Sequence, residues 1–143
     1  MSTFKEEITL ENIVDRGLAN RGYIKEADIR ALTVQAMPDT GAWTLVINED
    51  IREKLGLVIE GSADSTLADG KTSSYPITES VKIKWKNRSI SLPAVVVAEG
   101  KDVLLGAMPL EGMDLIVDPV RKRLAGAHGD QPLHVLYALK PPL

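Results

Sequence analysis

The sequence predicts an all-β domain, a barrel of short strands with one or two short helices. Short apolar runs rich in Val and Ile recur along the chain, and Gly, Asn and Asp separate them. Val81, Ile83 and Trp85 alternate with lysines, which is typical of an antiparallel strand with one face in solvent. Only residues 48–56 carry a strong helix pattern. Many short strands at close spacing, with so little helix, indicate a barrel-like fold.

Strands and a hairpin account for most of the chain. The polar, Ser-rich stretch 61–76 contains Asp69-Gly70, a strong signal for a hairpin turn. A polar connection follows the first strand, and residues 132–139 are either a last strand or a flexible tail. The strand-like segments are residues 8–10, 29–34, 44–48, 81–86, 89–92, 94–98, 103–106 and 115–118.

The helix at residues 48–56 has recognisable ends. Asn48 is suited to cap its first turn, and Gly56 is suited to end it. Ile51 and Leu55 lie on one face of it, which predicts an amphipathic helix of about two turns. A second, shorter helical piece is expected just after residue 106.

Composition restricts the protein's class and partners. The 143 residues suit one main domain at 28–124, with an N-terminal strand and connection at 1–27 and a tail or interface strand at 125–143. A net charge of −3 gives no support for nucleic-acid or membrane-surface partners. The absence of cysteine excludes disulfides and thiol catalysis. No signal-peptide pattern or apolar membrane span is present in the sequence, so we expect a cytoplasmic protein.

An acidic residue stands between two apolar strands. Burying a lone carboxylate costs several kcal/mol unless a partner offsets it. Here Asp39 is followed by Thr40, Gly41 and Ala42, and a Leu-Leu-Gly segment comes later at residues 104–106. This combination resembles the retropepsin-like, or retroviral-type, aspartic proteases, and looks like a small single-domain member of bacterial type. The resemblance covers residues near 28–124.

The resemblance implies an acid-protease fold and an aspartic endopeptidase that acts on a peptide or protein. One chain supplies a single Asp39, so it implies a homodimer whose two copies of Asp39 share a proton. It implies no cofactor and no metal. Residues 67–74 would form a flap over the substrate. The substrate-binding residues that it implies are Thr40, Gly41, Ala42, Ala68, Asp69 and Gly70.

Other interpretations stay open from the sequence. Pro38 before Asp39 and the single glycine near the flap tip favour the alternative, a catalytically silent domain for binding or dimerisation. Trp43 and Ala107 replace an aspartate and an arginine that form an ion pair in the retroviral enzymes, so the dimer interface would be built differently. The Asp-Thr-Gly triplet is also compatible with an ordinary turn. A metal site is the third, less favoured, interpretation, and its candidate ligands are His128, Asp130 and His134.

Overall fold

The computed structural model describes residues 3–66 and 70–131. The expected last strand at 132–139 and most of the expected flap tip therefore lie outside the described residues. A 3-10 turn at Glu26–Asp28 precedes β2. The elements are β1 Glu6–Asn12, α1 Ile13–Asn20, β2 Ala31–Pro38, β3 Leu45–Asn48, α2 Glu49–Leu55, β4 Ile59–Thr66, β5 Thr72–Trp85, β6 Arg88–Val97, β7 Val103–Leu105, α3 Ala107–Gly112, β8 Leu115–Asp118 and β9 Arg123–Gly126.

Seven strands form one sheet in the order β1-β2-β7-β3-β6-β5-β4. β1 also pairs with β5, so six of these strands close into a barrel and β4 extends outside it as the partner of β5. β7 runs parallel to β2 and antiparallel to β3, which places it between them. β8 and β9 form a separate two-stranded sheet. The all-β barrel expected from the sequence is confirmed.

The hydrophobic core fills the barrel. Side chains that alternate along each strand point inward, as the period of a β-strand requires. Leu55 of α2 and Met113, just after α3, cover the barrel from outside its strands and are fully buried. The apolar strand residues with no exposed surface, in the part of the chain that the structure describes, are Leu10, Ala36, Leu45, Ile47, Val81, Ile83, Ala94 and Leu105.

Both expected helices are confirmed, with the expected ends for α2. The Ile51 N–H donates to the Asn48 side chain at 3.0 Å, and Gly56 takes the left-handed conformation at φ 64°. The sequence prediction missed α1, which it treated as a polar connection. Asn12 is the last residue of β1 and also caps α1, because its side chain accepts the Asp15 N–H at 3.0 Å. This single residue ends a strand and begins a helix, so the pattern of either element is cut short.

Two strand predictions were wrong in extent, and one strand was missed. The polar residues 61–66 belong to β4, because they pair with β5 through the backbone in a long hairpin, and this pairing does not need apolar side chains. Residues 89–92 and 94–98 were expected as two strands, but β6 continues through Pro93, next to a register shift in its pairing with β5. Such irregularities are where a strand tolerates proline. The short, charged β9 was not expected at all.

Candidate active site

The Asp39 loop joins β2 to β3 and is fixed by backbone hydrogen bonds. The Asp39 N–H donates to the Leu105 carbonyl at 3.0 Å, which ties the loop to β7. Within the loop, the Gly41 N–H donates to Asp39 Oδ1 at 2.9 Å, and the Ala42 N–H donates to the Asp39 carbonyl at 3.1 Å. These hydrogen bonds fix the direction of the carboxylate. Because Asp39 is partly exposed, the carboxylate also stays accessible.

The Leu-Leu-Gly segment supports this loop from the other side. The Gly106 N–H donates to the Thr44 carbonyl at 3.1 Å, and the Ala107 N–H donates to the Ala42 carbonyl at 2.8 Å. A Cβ on Gly106 would lie 2.3 Å from the Thr44 carbonyl oxygen and 2.6 Å from that of Ala42. Only glycine fits at this distance. The two motifs noted in the sequence are therefore in direct contact.

Pro38 is compatible with this geometry. It is the last residue of β2 and stands opposite Leu105 of β7. The hydrogen bond to β7 at this point comes from the N–H of Asp39, the next residue. The missing proline N–H therefore removes no bond that holds the loop to β7.

Two large apolar side chains are exposed beside the loop. Trp43 is 49% exposed and Met108 is 45% exposed. They are neighbours, because the Met108 N–H donates to the Trp43 carbonyl at 2.9 Å. Thr40 and Gly41 are also exposed. The surface beside the Asp39 loop is therefore apolar. It includes Trp43, which replaces one partner of the ion pair found in the retroviral enzymes.

Thr44 is a residue that the sequence prediction overlooked. Its side chain is buried, and its hydroxyl donates to the Pro93 carbonyl at 2.8 Å. Its own carbonyl accepts the Gly106 N–H. Thr44 therefore links the Asp39 loop to β6 and to β7. A polar residue at the start of an apolar strand was the only signal for it in the sequence.

An apolar row crosses the sheet next to the Asp39 loop. In strand register Met37 stands beside Leu104, Leu104 beside Val46, Val46 beside Val95, and Val95 beside Ile77. None of these five residues belongs to the described core of the barrel. They lie on the face of the sheet that points away from that core, and we call them the outer row.

A groove of about 370 Å³ adjoins the outer row. Its size lies in the range of ligand-binding pockets. The sequence prediction missed it because strand register, which brings its walls together, is not visible in any single segment. The groove is lined by Val46, Tyr75, Val97, Ala98, Lys101, Asp102 and Leu104.

The hairpin of β4 and β5 borders the groove, and its role as a flap stays a prediction. Tyr75 on β5 lines the groove, so the hairpin borders it. Gly70 has φ 83°, a value that suits glycine in a turn. Ala68 and Asp69 lie outside the described residues. Their contact with a substrate stays a prediction, as does that of Gly70.

The metal interpretation gains no support from the residues that the structure describes. His128 Nδ1 lies 2.7 Å from Asp114 Oδ1, whereas the Asp130 carboxylate accepts the Gly126 N–H at 3.0 Å. The two expected ligands therefore have separate partners. Among residues 3–66 and 70–131, no three metal-binding side chains of this type come together. His134 lies outside this part of the chain.

Ion pairs elsewhere show what the Asp39 carboxylate lacks. Arg30 hydrogen-bonds the Asp15 carboxylate and holds its pKa below the ordinary value. In the same way, the hydrogen bonds from Arg16 lower the pKa of Glu11. Within the described ranges, no cation lies within ion-pair distance of Asp39, and its carboxylate is bonded only to the loop N–H.

The sequence of residues 25–108 matches the model of the family described as "Aspartyl protease". The match covers more than half of the chain and includes the Asp39 loop and the Leu-Leu-Gly segment. The chain belongs to the aspartyl protease family. No curated protein matches this chain.

Solved structures are similar to this chain, and the first of those that follow, with a TM-score above 0.5, supports the fold. The retroviral protease-like domain of Ddi1 from Leishmania major superposes with a TM-score of 0.56 at 13% identity, over 92% of this chain and 90% of that one. The EIAV protease in complex with the inhibitor HBY-793 gives 0.49 at 18% identity, over 77% and 86%. A retropepsin-like aspartic protease from Rickettsia conorii gives 0.42 at 18% identity, over 82% and 89%. The resemblance to retropepsin-like proteases is confirmed.

In the described part of the chain, none of the helices has the length and apolar character needed to cross a membrane.

Proposed function

We propose that the protein is an aspartic endopeptidase that works as a homodimer, with one Asp39 from each chain at the twofold axis. The observation that carries this proposal is the Asp39 loop. Its carboxylate is held by the Gly41 N–H on one oxygen, and it has no cation beside it in the described part of the chain. Such a carboxylate is fixed in direction and available to a partner carboxylate. The family match supports the protease chemistry, and the dimer and the activity are our inference.

The chemistry follows from bringing two carboxylates together. Two of them about 3 Å apart cannot both ionise, so the pair holds one proton. The ionised carboxylate takes a proton from a water molecule, whose oxygen then attacks the peptide carbonyl carbon. The protonated carboxylate donates its proton to the carbonyl oxygen. When the tetrahedral intermediate collapses, the C–N bond breaks, and the nitrogen leaves with the proton that the first carboxylate took from the water.

The assembly uses the surface around the loop. In a twofold dimer the same surface patch of both chains forms the interface, so this patch must be complementary to itself. Thr40 at the tip is exposed and can contact its counterpart, and the exposed Trp43 and Met108 supply the apolar area beside it. Tryptophan is enriched among residues that dominate interface energies. The pairing of the C-terminal residues 132–139 across this interface, expected from the sequence, falls on residues outside the described part of the chain and stays a prediction.

The alternative is a catalytically silent domain that binds a peptide or dimerises. The sequence of the expected flap favours it, because Gly70 is the single glycine in residues 67–74. A flap that must fold over a peptide needs conformational freedom near its tip. For either function we propose a peptide or protein partner. A cytoplasmic location stays a prediction from the sequence.

Purified Asp39→Asn tests the catalytic role. Because the variant keeps the shape of the side chain but cannot share a proton, we expect peptide cleavage to fall by about 10³-fold or more, with unfolding unchanged. Activity of the wild type is expected to peak at acidic pH, since one Asp39 must be protonated. Cleavage by Asp39→Asn at the wild-type rate would falsify the catalytic assignment.

Sedimentation of the same samples tests the dimer. Activity per chain should fall on dilution as dimers dissociate. Trp43→Glu should shift the protein toward monomer and lower its activity, whereas Val120→Glu is the matched control, because Val120 is 89% exposed in the turn between β8 and β9. A monomer at all concentrations that cleaves in strict proportion to protein contradicts the dimer. A protein without activity at any concentration supports the silent domain.

A further inference from the structure

We propose that the groove beside the outer row selects peptides with an apolar side chain and an acidic side chain two positions away, and that Lys101 contacts the acidic one. The inference rests on the proposed function only in that the groove receives an extended peptide. It adds a substrate class and a residue that determines specificity.

The apolar part of the preference comes from the groove walls. Val46 and Leu104 belong to the outer row, and Val97 and Ala98 continue the apolar surface at the end of β6. All of them are at least partly exposed, although each is apolar. Apolar surface that the core does not use is stabilised by burial against an apolar ligand group.

The acidic part of the preference comes from an imbalance of charge at the rim. Lys101 and Asp102 both line the groove and are both exposed. Lys5 Nζ lies 3.3 Å from Asp102 Oδ1, so the charge of Asp102 is compensated within the chain. Lys101 forms no ion pair with any described residue. The rim therefore presents one uncompensated positive charge.

The backbone of Lys101 is held in place by hydrogen bonds, which restricts the position of its charged side chain. The Asn48 side chain donates to the Lys101 carbonyl at 2.9 Å. The Lys101 N–H bonds back to the Ala98 carbonyl at 3.4 Å, closing a turn. In an extended peptide, alternate side chains face the same way, about 7 Å apart. An acidic residue two positions from the apolar one therefore points toward the same side of the groove.

Binding to the full-length Asp39→Asn protein tests this without cleavage. The probes are short fluorescent peptides with a central Leu and with Glu, Gln or Lys two positions away on either side. At low ionic strength we expect Glu peptides to bind about threefold more tightly than Lys peptides, since an exposed charge pair contributes a modest factor. Replacing the central Leu by Ala should weaken binding of the whole set.

Lys101→Glu should reverse this preference, so that Lys peptides bind more tightly. Lys5→Ala should reduce the preference for Glu, because it uncovers Asp102. Lys122→Glu makes the same charge change in the turn between β8 and β9 and should leave the preference as it was. The same preference in Lys101→Glu as in its parent overturns the proposal, and so does a lack of binding by every peptide.

Cleavage of these peptides by the wild type separates the two proposals. Binding with the expected charge preference but without cleavage supports the role of Lys101 and contradicts the protease function. Cleavage that depends on Asp39 but ignores the charge of the peptide supports the protease and ends the role of Lys101.

Discussion

Arg88 and Asp39 show two ways in which this protein holds a charged side chain. The side chain of Arg88 has no exposed surface, and among the described residues it donates hydrogen bonds to backbone carbonyls and lies 3.7 Å from Asp114 Oδ2 through its Nη1. Asp39 is partly exposed and accepts a single N–H from its own loop. The carbonyls bonded to Arg88 belong to Met113 at 2.8 Å, Asp114 at 2.6 Å, Gln131 at 3.1 Å and Gly129.

The difference concerns what is left for a partner. The Arg88 guanidinium connects β6 with the segments after α3 and after β9, so its hydrogen bonds stabilise the fold. Asp39 keeps most of its hydrogen-bonding capacity, while the backbone around it supplies the rigidity. A charge used for stability is buried and hydrogen-bonded within the fold. A charge used for binding or catalysis is positioned and left accessible.

Removing the buried charge should have the largest effect. In Arg88→Met the carbonyls around the guanidinium lose their donors while they stay buried. We expect the free energy of unfolding to fall by about 3 kcal/mol or more. Urea unfolding measures this, and Arg121→Met is the control, because Arg121 is exposed and pairs only with Asp118 across 3.5 Å. Equal effects of the two substitutions would contradict the structural role of Arg88.

Gly106→Ala breaks the backbone that positions Asp39. Because the added Cβ would overlap the carbonyls of Ala42 and Thr44, we expect a loss of about 1–3 kcal/mol and a larger relative loss of any Asp39-dependent activity. Gly61→Ala is the matched control, since no atom lies within 4 Å of the Cβ that it would add. Both stability and activity should be measured. A Gly106→Ala protein that matches Gly61→Ala in both shows that the loop does not need this close contact.

The smallest effect should depend on pH. Asp15 pairs with Arg30 and has a lowered pKa, so its contribution is complete above the ordinary Asp value of about 4 and is lost as the pH falls through its folded-state pKa. Because half of the Arg30 side chain is exposed, we expect Asp15→Asn to cost about 1 kcal/mol at pH 6. The cost should vanish at pH 2. The hydrogen bonds of Arg88 go to carbonyls, which do not titrate, although its Nη1 also lies 3.7 Å from Asp114 Oδ2. Arg88→Met should therefore keep most of its cost at low pH, and a cost that vanishes with that of Asp15→Asn would contradict the comparison.

The sequence predicted what depends on neighbouring residues. The capped helix after Asn48 and the alternating strand around Ile83 follow from short patterns. The Asp39 loop and the Leu-Leu-Gly segment were noted as motifs, but the contact between them was not predicted. Long-range pairing was beyond such patterns. The groove needs Val46 and Leu104 side by side, and register between distant strands has no local signal. The roles of Thr40, Gly41 and Ala42 toward a substrate remain predictions.

The closure between β1 and β5 also bears on the order in which the chain folds. Thr9 pairs with Lys84, so β2, β3 and β4 lie between the paired residues in the sequence. Pairings between such distant residues form slowly, because the intervening chain must be ordered first. Until β1 arrives, β5 has an open edge, and its charged Lys82 and Lys84 disfavour pairing with another chain. In the closed barrel, Lys84 Nζ lies 3.8 Å from the Glu11 carboxylate. The charge that disfavours pairing with another chain at the open edge therefore forms an ion pair between β5 and β1 once the barrel is closed.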